Sequence, residues 1–367
     1  MNDARIPLRS TARAAFQAQL EAFRRALPQL DELKYLLEAR TGTCLLDWVD
    51  ALHLVTEPQR RQSWIDLGWK AEDSLSSQEV LRFPKDALPP IVLVRDLEAR
   101  LDLRVDDIES FLASYKDLRG RRPSCKIEGQ PGSGLRRAHL AGHGIRSLAM
   151  VQRRGYAGFT VGAHTGDLDP ELRAQWTHTL RARQRVYASD RHGLTALGSL
   201  LTEAREALGV PQAADLFLHL EREYWQASNR AGSVQAARQV TLGLGWGNAH
   251  KHVYRCSIEH LEASLRIFTE LGFERDEQAS GSSFHELVHP RSRLRVVCEA
   301  DPKSTSQAGI GPFGRWTALH GESLLRSGLH RLHASQHRGR ASDPAVDSER
   351  WKVDPLRLRL QVERGLI

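Results

Sequence analysis

Residues 252–273 constrain the fold more than any other part of the chain. His252-Val253-Tyr254-Arg255-Cys256 alternates with the period of two that a strand requires. After Ser257 the period lengthens to about 3.6, with Leu261, Leu265, Phe268 and Leu271 on one stripe. Ser257 offers an N-cap oxygen, and Gly272 stands where a helix ends in a left-handed residue. A strand followed at once by an amphipathic helix buries that stripe only against a sheet, so this segment predicts a helix lying on strands. His250 and His252 sit two apart on the strand, on one face and about 6–7 Å from each other. With the helix on the other side of the sheet, two such imidazoles can begin a metal site. A second in-phase pair, His320 and Glu322, comes later in the chain.

At 367 residues the chain can hold two or three compact units, and its 41% hydrophobic content suits a globular protein. The net charge of +7 arises from 52 basic residues interspersed with 45 acidic ones. Such a surface is soluble and mildly basic, and does not favour nucleic acid as the partner. Cys44, Cys125, Cys256 and Cys298 are far apart and form no C-x-x-C, which argues against a zinc ribbon or a thioredoxin-like site. With no signal-peptide core in residues 1–10 and no apolar run of membrane-spanning length, the expected setting is a reducing cytoplasm.

Apolar periodicity predicts N-terminal helices within 1–42. A first sheet region spans 43–165, with strands near 44–55, 80–83, 91–94, 101–105, 136–140 and 147–152 and short helices near 60–67 and 106–112. Asp169-Pro170 marks a capped helix start and opens a helical insertion, 166–246. A second sheet region covers 247–335, and a polar connector and tail cover 336–367. The order strand, helix, glycine, strands occurs near 44–105 and again near 250–300.

Residues 252–257 followed by 261–273, ending in Leu271-Gly272-Phe273, resemble the first strand and helix of a vicinal oxygen chelate module, the superfamily of glyoxalases and extradiol dioxygenases. The strand Leu294-Arg295-Val296-Val297-Cys298-Glu299 is similar to a later strand of that module. The resemblance covers about fifty residues, matches 44–105 loosely and leaves out the helical insertion. It implies an α+β protein in which two βαβββ sheet regions form a cup, with a helical insertion and N-terminal helices. It also implies a divalent metal held by one His from the first strand of each region and a carboxylate from a last strand. By position these are His53, His252 and Glu322, with His250, His320 and Glu299 as alternates. Gln152, on the matching strand of the first region, carries no charge, which implies one metal site. Two His and one carboxylate leave positions open to substrate and dioxygen, as in non-haem iron(II) enzymes, and zinc or manganese is also compatible. The expected activity is an Fe(II) oxygenase or dioxygenase acting on a small organic acid. The alternatives are a small-molecule binding protein that keeps the cup without the chemistry, and a zinc peptidase. A homodimer is compatible with either.

His285-Glu286-Leu287-Val288-His289 matches the H-E-x-x-H of zinc peptidases, which requires a helix to bring both His to one metal. Pro290 disfavours that helix, and a strand followed by a turn is the expectation. The glycine clusters at 129–134 and 243–247 lack the Lys-Ser/Thr of a phosphate loop and the preceding strand of a dinucleotide site, and read as turns. Arg136-Arg137, Arg153-Arg154 and the 181–185 run read as solvated faces or, for an anionic substrate, as carboxylate grips. Glu221, Tyr224, Trp225, Gln226 and Asn229 lie at helical spacing. They read either as a buried polar face or as a wall over a pocket.

Overall fold

A computed structural model describes residues 5–72, 78–84, 88–95, 98–119, 125–162, 168–185, 187–227, 230–245, 251–277, 280–281 and 284–300. His250, His320 and Glu322 lie outside these residues. The chain opens with helices α1 (Arg5–Ala26) and α2 (Pro28–Leu36). Next come β1 (Val49–Val55), α3 (Pro58–Asp66), β2 (Lys70–Glu72), β3 (Glu79–Arg82) and β4 (Ile91–Val94). The pattern repeats as β5 (Ala99–Arg104), α4 (Ile108–Arg119), β6 (Ile127–Glu128), β7 (Leu135–His143) and β8 (Arg146–Arg153). Helices α5 (Pro170–Arg181), α6 (Asp190–Leu208), α7 (Val210–Ala227) and α8 (Arg230–Val240) form the insertion. A third repeat is β9 (Lys251–Cys256), α9 (Leu261–Glu270), β10 (Glu274–Arg275), β11 (Phe284–Val288) and β12 (Arg295–Ala300).

The architecture is α+β, with βαβββ sheet regions flanking a helical insertion. The first sheet has the order β2-β3-β4-β1-β5-β8-β7-β6 and the second β10-β11-β12-β9. In every repeat the first strand lies parallel to the last, β1 to β4, β5 to β8 and β9 to β12. The first two repeats join through antiparallel β1 and β5. The first sheet region therefore contains two βαβββ units. The expected echo between 44–105 and 250–300 has a third member at 99–153.

The elements follow from their residues. β4 is a continuous apolar run, buried throughout, and takes a central position in its sheet. On α1, Ala12, Phe16, Leu20 and Phe23 form a buried stripe, and the Phe16 ring stacks on Trp69 at 6.2 Å. Asp169 caps α5 by accepting from the Glu171 amide, with Pro170 in the first turn, as the sequence requires. Gly272 takes φ +83° at the end of α9.

Two local expectations differ. The strand expected from 44 begins only at Val49, because Asp47 accepts from the Cys44 amide (2.9 Å) and folds Leu45–Trp48 into a 3₁₀ turn. Ser257 makes no cap hydrogen bond. A 3₁₀ turn, Ile258–His260, separates it from α9.

One core unites α1, α2, the helix-facing side of the first sheet and α4. A second unites α5, α6, α7, α9 and the second sheet. Helices α5, α6 and α7 thus share their core with the second sheet, whereas Leu242 and Leu244, after α8, belong to the first core.

Candidate functional site: a buried charge network and an arginine-lined cleft

β5 reads Arg100-Leu101-Asp102-Leu103-Arg104. Leu101 and Leu103 enter the core, so strand alternation sends Arg100, Asp102 and Arg104 to the concave face. His53, paired with Arg100 across β1 and β5, points to the same face and is 0% exposed. Its Nε2 lies 2.9 Å from Asp102 Oδ2. Arg100 donates to Asp102 Oδ1 at 2.7 Å, and its NH2 stands 3.1 Å from His53 Nε2 and 3.3 Å from Nδ1. Arg137 adds a second cation 3.7 Å from the same carboxylate. Burial alone would raise the Asp102 pKa. His53, Arg100 and Arg137 together outweigh it and hold the carboxyl well below the usual carboxylate range. Burial lowers the His53 pKa despite Asp102, so the ring is neutral at neutral pH.

The concave face is filled by the chain itself. Phe159, from the segment after β8, packs on Ala51, Val80, Val92 and Val94 and meets the His53 ring edge-on at 5.8 Å. Arg153 donates to the Tyr156 and Gly158 carbonyls at 2.9 and 2.6 Å, and Arg137 to the Phe159 carbonyl at 2.9 Å. Asp50 anchors Arg153 through two 2.7 Å bonds, and the guanidinium lies over the Phe159 ring at 4.9 Å.

The metal expected in this cup does not fit these residues. His53 is committed to Asp102, two guanidiniums share that carboxylate, and the pairing positions on β4 are Val92 and Val94. A divalent cation would join an already net-positive, buried cluster. Among the described residues no group of three or more His, Cys, Asp or Glu side chains is placed to hold a metal ion. Gln152 is buried and, by alternation, lies on the opposite face of β8 from Arg153.

His252 belongs to the second sheet, away from His53. It is 2% exposed and stacks on Tyr254 at 6.4 Å; Tyr254 in turn meets Phe268 of α9 at 5.1 Å. His252 therefore lies on the helix-covered face, opposite to expectation, because Tyr254 and Cys256 are the apolar partners that α9 buries. In register His252 pairs with Val296, whereas Glu299 is out of phase with Val296 and Cys298. His252 and Glu299 project from opposite faces of the sheet and do not share a ligand.

The H-E-x-x-H segment is strand β11 followed by a turn, as expected. Four residues of strand separate its His side chains by about 13 Å, and Glu286 binds Arg295 at 3.0 Å. A peptidase zinc centre cannot form there.

The accessible site is a cleft of about 380 Å³ between the first sheet, α5, α7 and the second sheet. α5 presents Arg173, Thr177 and Arg181 at intervals of four. α7 presents Asp215, His219, Arg222 and Glu223, and β5 and β8 end in Arg104, Arg153 and Arg154. His252 and Leu294 close one side. Most of these charges are paired: Arg153 with Asp50 (2.7 Å), Arg173 with Asp215 (3.5 Å), Arg181 with Glu223 (2.8 Å) and Arg222 with Asp106 (3.1 Å). Arg222 also donates to His219 Nδ1 at 2.8 Å, so the His219 Nε2–H donates to Glu223 at 3.1 Å. That bond, with Arg181, holds Glu223 down to about 2.

Two guanidiniums differ from the others. Among the described residues no carboxylate lies within ion-pair distance of Arg104 or Arg154. Arg154 instead donates to the Pro131 carbonyl at 2.5 Å. Burial lowers the pKa of both, and a neighbouring arginine adds to it, Arg153 for Arg104 and Arg173 for Arg154. Both stay charged.

Of the 181–185 basic run, Arg181 reaches the cleft, while Arg183 and Arg185 clamp the buried Glu221 at 2.7 and 2.8 Å. Glu221 thus has the buried polar role. The cleft wall on α7 is made by His219, Arg222 and Glu223. Arg104, Arg173 and Arg222 were not singled out in the sequence. Their signal was the charge alternation along β5 and the i, i+4 stripes of α5 and α7.

The βαβββ units, with first strand parallel to last, define an α+β protein built from repeated βαβββ sheet units. No protein-family model and no curated protein matches the chain. Solved structures similar to it include glyoxalase I from Zea mays, with TM-score 0.21, 11% identity, and coverage of 69% of this chain and 67% of that one. Two single-residue variants of that maize protein align with TM-score 0.22, at 11% and 12% identity, over 69% of this chain and 68% and 67% of theirs. A likeness at that TM-score says nothing about function. Among the described residues no helix is long and apolar enough to cross a membrane.

Proposed function

We propose that this chain binds a small anionic molecule in the arginine-lined cleft, with the βαβββ sheets serving as its scaffold. Arg104 carries the reading: a guanidinium on the cleft wall, desolvated by its surroundings, with no carboxylate in ion-pair reach among the described residues. A carboxylate or phosphate ligand supplies the missing partner, and the guanidinium fork suits either in a two-point contact. The volume suits a metabolite-sized ligand. A hydrogen bond to a charged group contributes about 1.5–3 kcal/mol, so Arg104→Gln is expected to weaken anion binding at least ~10-fold by calorimetric titration. Unchanged affinity in a folded Arg104→Gln protein would overturn the reading.

The Fe(II) dioxygenase reading draws its support from the sequence alone, from the pattern of His252, His320 and Glu322. Iron, zinc and manganese content of the purified protein, measured beside His252→Ala, tests it. Stoichiometric metal that is lost in the variant would favour it.

A further inference from the structure

We infer that the ligand of this cleft is a doubly charged anion, of the phosphate-monoester or dicarboxylate class, held between Arg104 and Arg154. The inference rests on the anion-binding function proposed for the cleft and adds the charge state. Asp215 is the shared neighbour: it pairs with Arg173 at 3.5 Å and acts electrostatically on both Arg104 and Arg154. Asp50 and Asp106 also act on Arg104, and Asp107 on Arg154, yet among the described residues none of these carboxylates comes within ion-pair distance of either guanidinium. The other lining cations differ from these two in having ion pairs. Arg153, Arg181 and Arg222 each have their own carboxylate. The remaining acid, Asp107, accepts from the Ser110 amide at 2.8 Å, caps the first turn of α4 and acts on Arg154 from beyond ion-pair distance. Arg222, which also lines the cleft, is 5% exposed, and its Nε makes no hydrogen bond among the described residues. A singly charged ligand would give an ion pair to one of the two guanidiniums that lack one and leave the other with neutral acceptors at most, as Arg154 has in the Pro131 carbonyl and the Gln152 amide oxygen. A dianion satisfies both.

The test is calorimetric titration of the full chain at pH 8 and low salt with four probes. Phenyl phosphate and malonate are doubly charged, and benzoate and acetate are their singly charged counterparts. The expected result is binding of at least one dianion ~10-fold or more tighter than its monoanion, with the preference lost in Arg154→Gln. Whichever of phenyl phosphate and malonate binds more tightly identifies the phosphoryl or the dicarboxylate class. Asp215→Asn removes the competing carboxylate and is expected to tighten dianion binding, a gain that damage to the fold would not produce. Equal binding of dianions and monoanions, or weaker dianion binding in a folded Asp215→Asn protein, would overturn the dianion assignment while leaving an anion site in place. Absence of binding by all four probes would overturn both readings.

Discussion

At the scale of single residues, the buried charges have definite consequences. Asp102 is 0% exposed and answers to two guanidiniums and an imidazole. Asp102→Asn leaves Arg100 and Arg137 without their common carboxylate. Breaking a buried pair in this way costs about 3–5 kcal/mol, which urea denaturation will register as a lower midpoint at unchanged slope. His289 is 2% exposed, accepts from the Ser292 amide at 3.1 Å and abuts Phe273; burial, then Arg291, pushes its pKa down to about 4. Its folded pKa lies below its unfolded one. The unfolded chain therefore takes up the proton first, and stability drains away as pH falls from about 6.5 towards 4. His53 acts in the same direction. Thermal melts should drop between pH 7 and 5, and His289→Gln should make the drop shallower by about 2 kcal/mol at the acid end. An unaltered pH slope in that variant would remove His289 from the account.

At the scale of elements, much was legible. The 91–94 strand announced itself by an unbroken apolar run, α5 by Asp169-Pro170, and α9 by its stripe and Gly272. Burial and capping act over a few residues, so they leave local marks. The partners of strands leave none. Nothing around residues 99–104 reveals that β5 lies antiparallel to β1 and parallel to β8, because register depends on residues fifty positions away. The face of His252 was misjudged for a related reason. Alternation places it with Tyr254 and Cys256 but does not say which side α9 covers. Phe159 shows the same limit: one aromatic in a turn-rich segment fills the concave face. Phe159→Ala is expected to cost about 3–5 kcal/mol, measured by denaturant unfolding. A loss under 1 kcal/mol would mean that the segment does not hold the sheet.

At the scale of the molecule, the two cores are joined by Leu242 and Leu244, which follow α8 into the first core, and by polar contacts between β8, α7 and the second sheet. Gln212 of α7 donates to the Arg154 carbonyl at 3.0 Å, the Ala157 amide to the Arg291 carbonyl at 2.7 Å, and Arg222 to Asp106 at 3.1 Å. Gly155 sits at this junction with φ +69°, and a Cβ there would come within 2.5 Å of the Pro211 carbonyl oxygen. Gly162 has φ +79° and open space around it. Gly155→Ala should therefore cost about 2 kcal/mol or more and split the calorimetric unfolding peak as the cores uncouple, whereas Gly162→Ala should cost about 1 kcal/mol and keep one peak. The charged face of β5 and the stripes of α5 and α7 were all present in the sequence. Their convergence was not, because it depends on how the insertion packs against the first sheet.

The segment bearing Phe159 also suggests a route for engineering. Its anchors, Arg153 and Arg137, grip carbonyl groups of the main chain, which any residue would provide. Replacing the segment with a short glycine linker would remove the Phe159 ring while Asp50 keeps hold of Arg153 and Asp102 stays beside Arg137. A scaffold with no room there today would become a blank receptor.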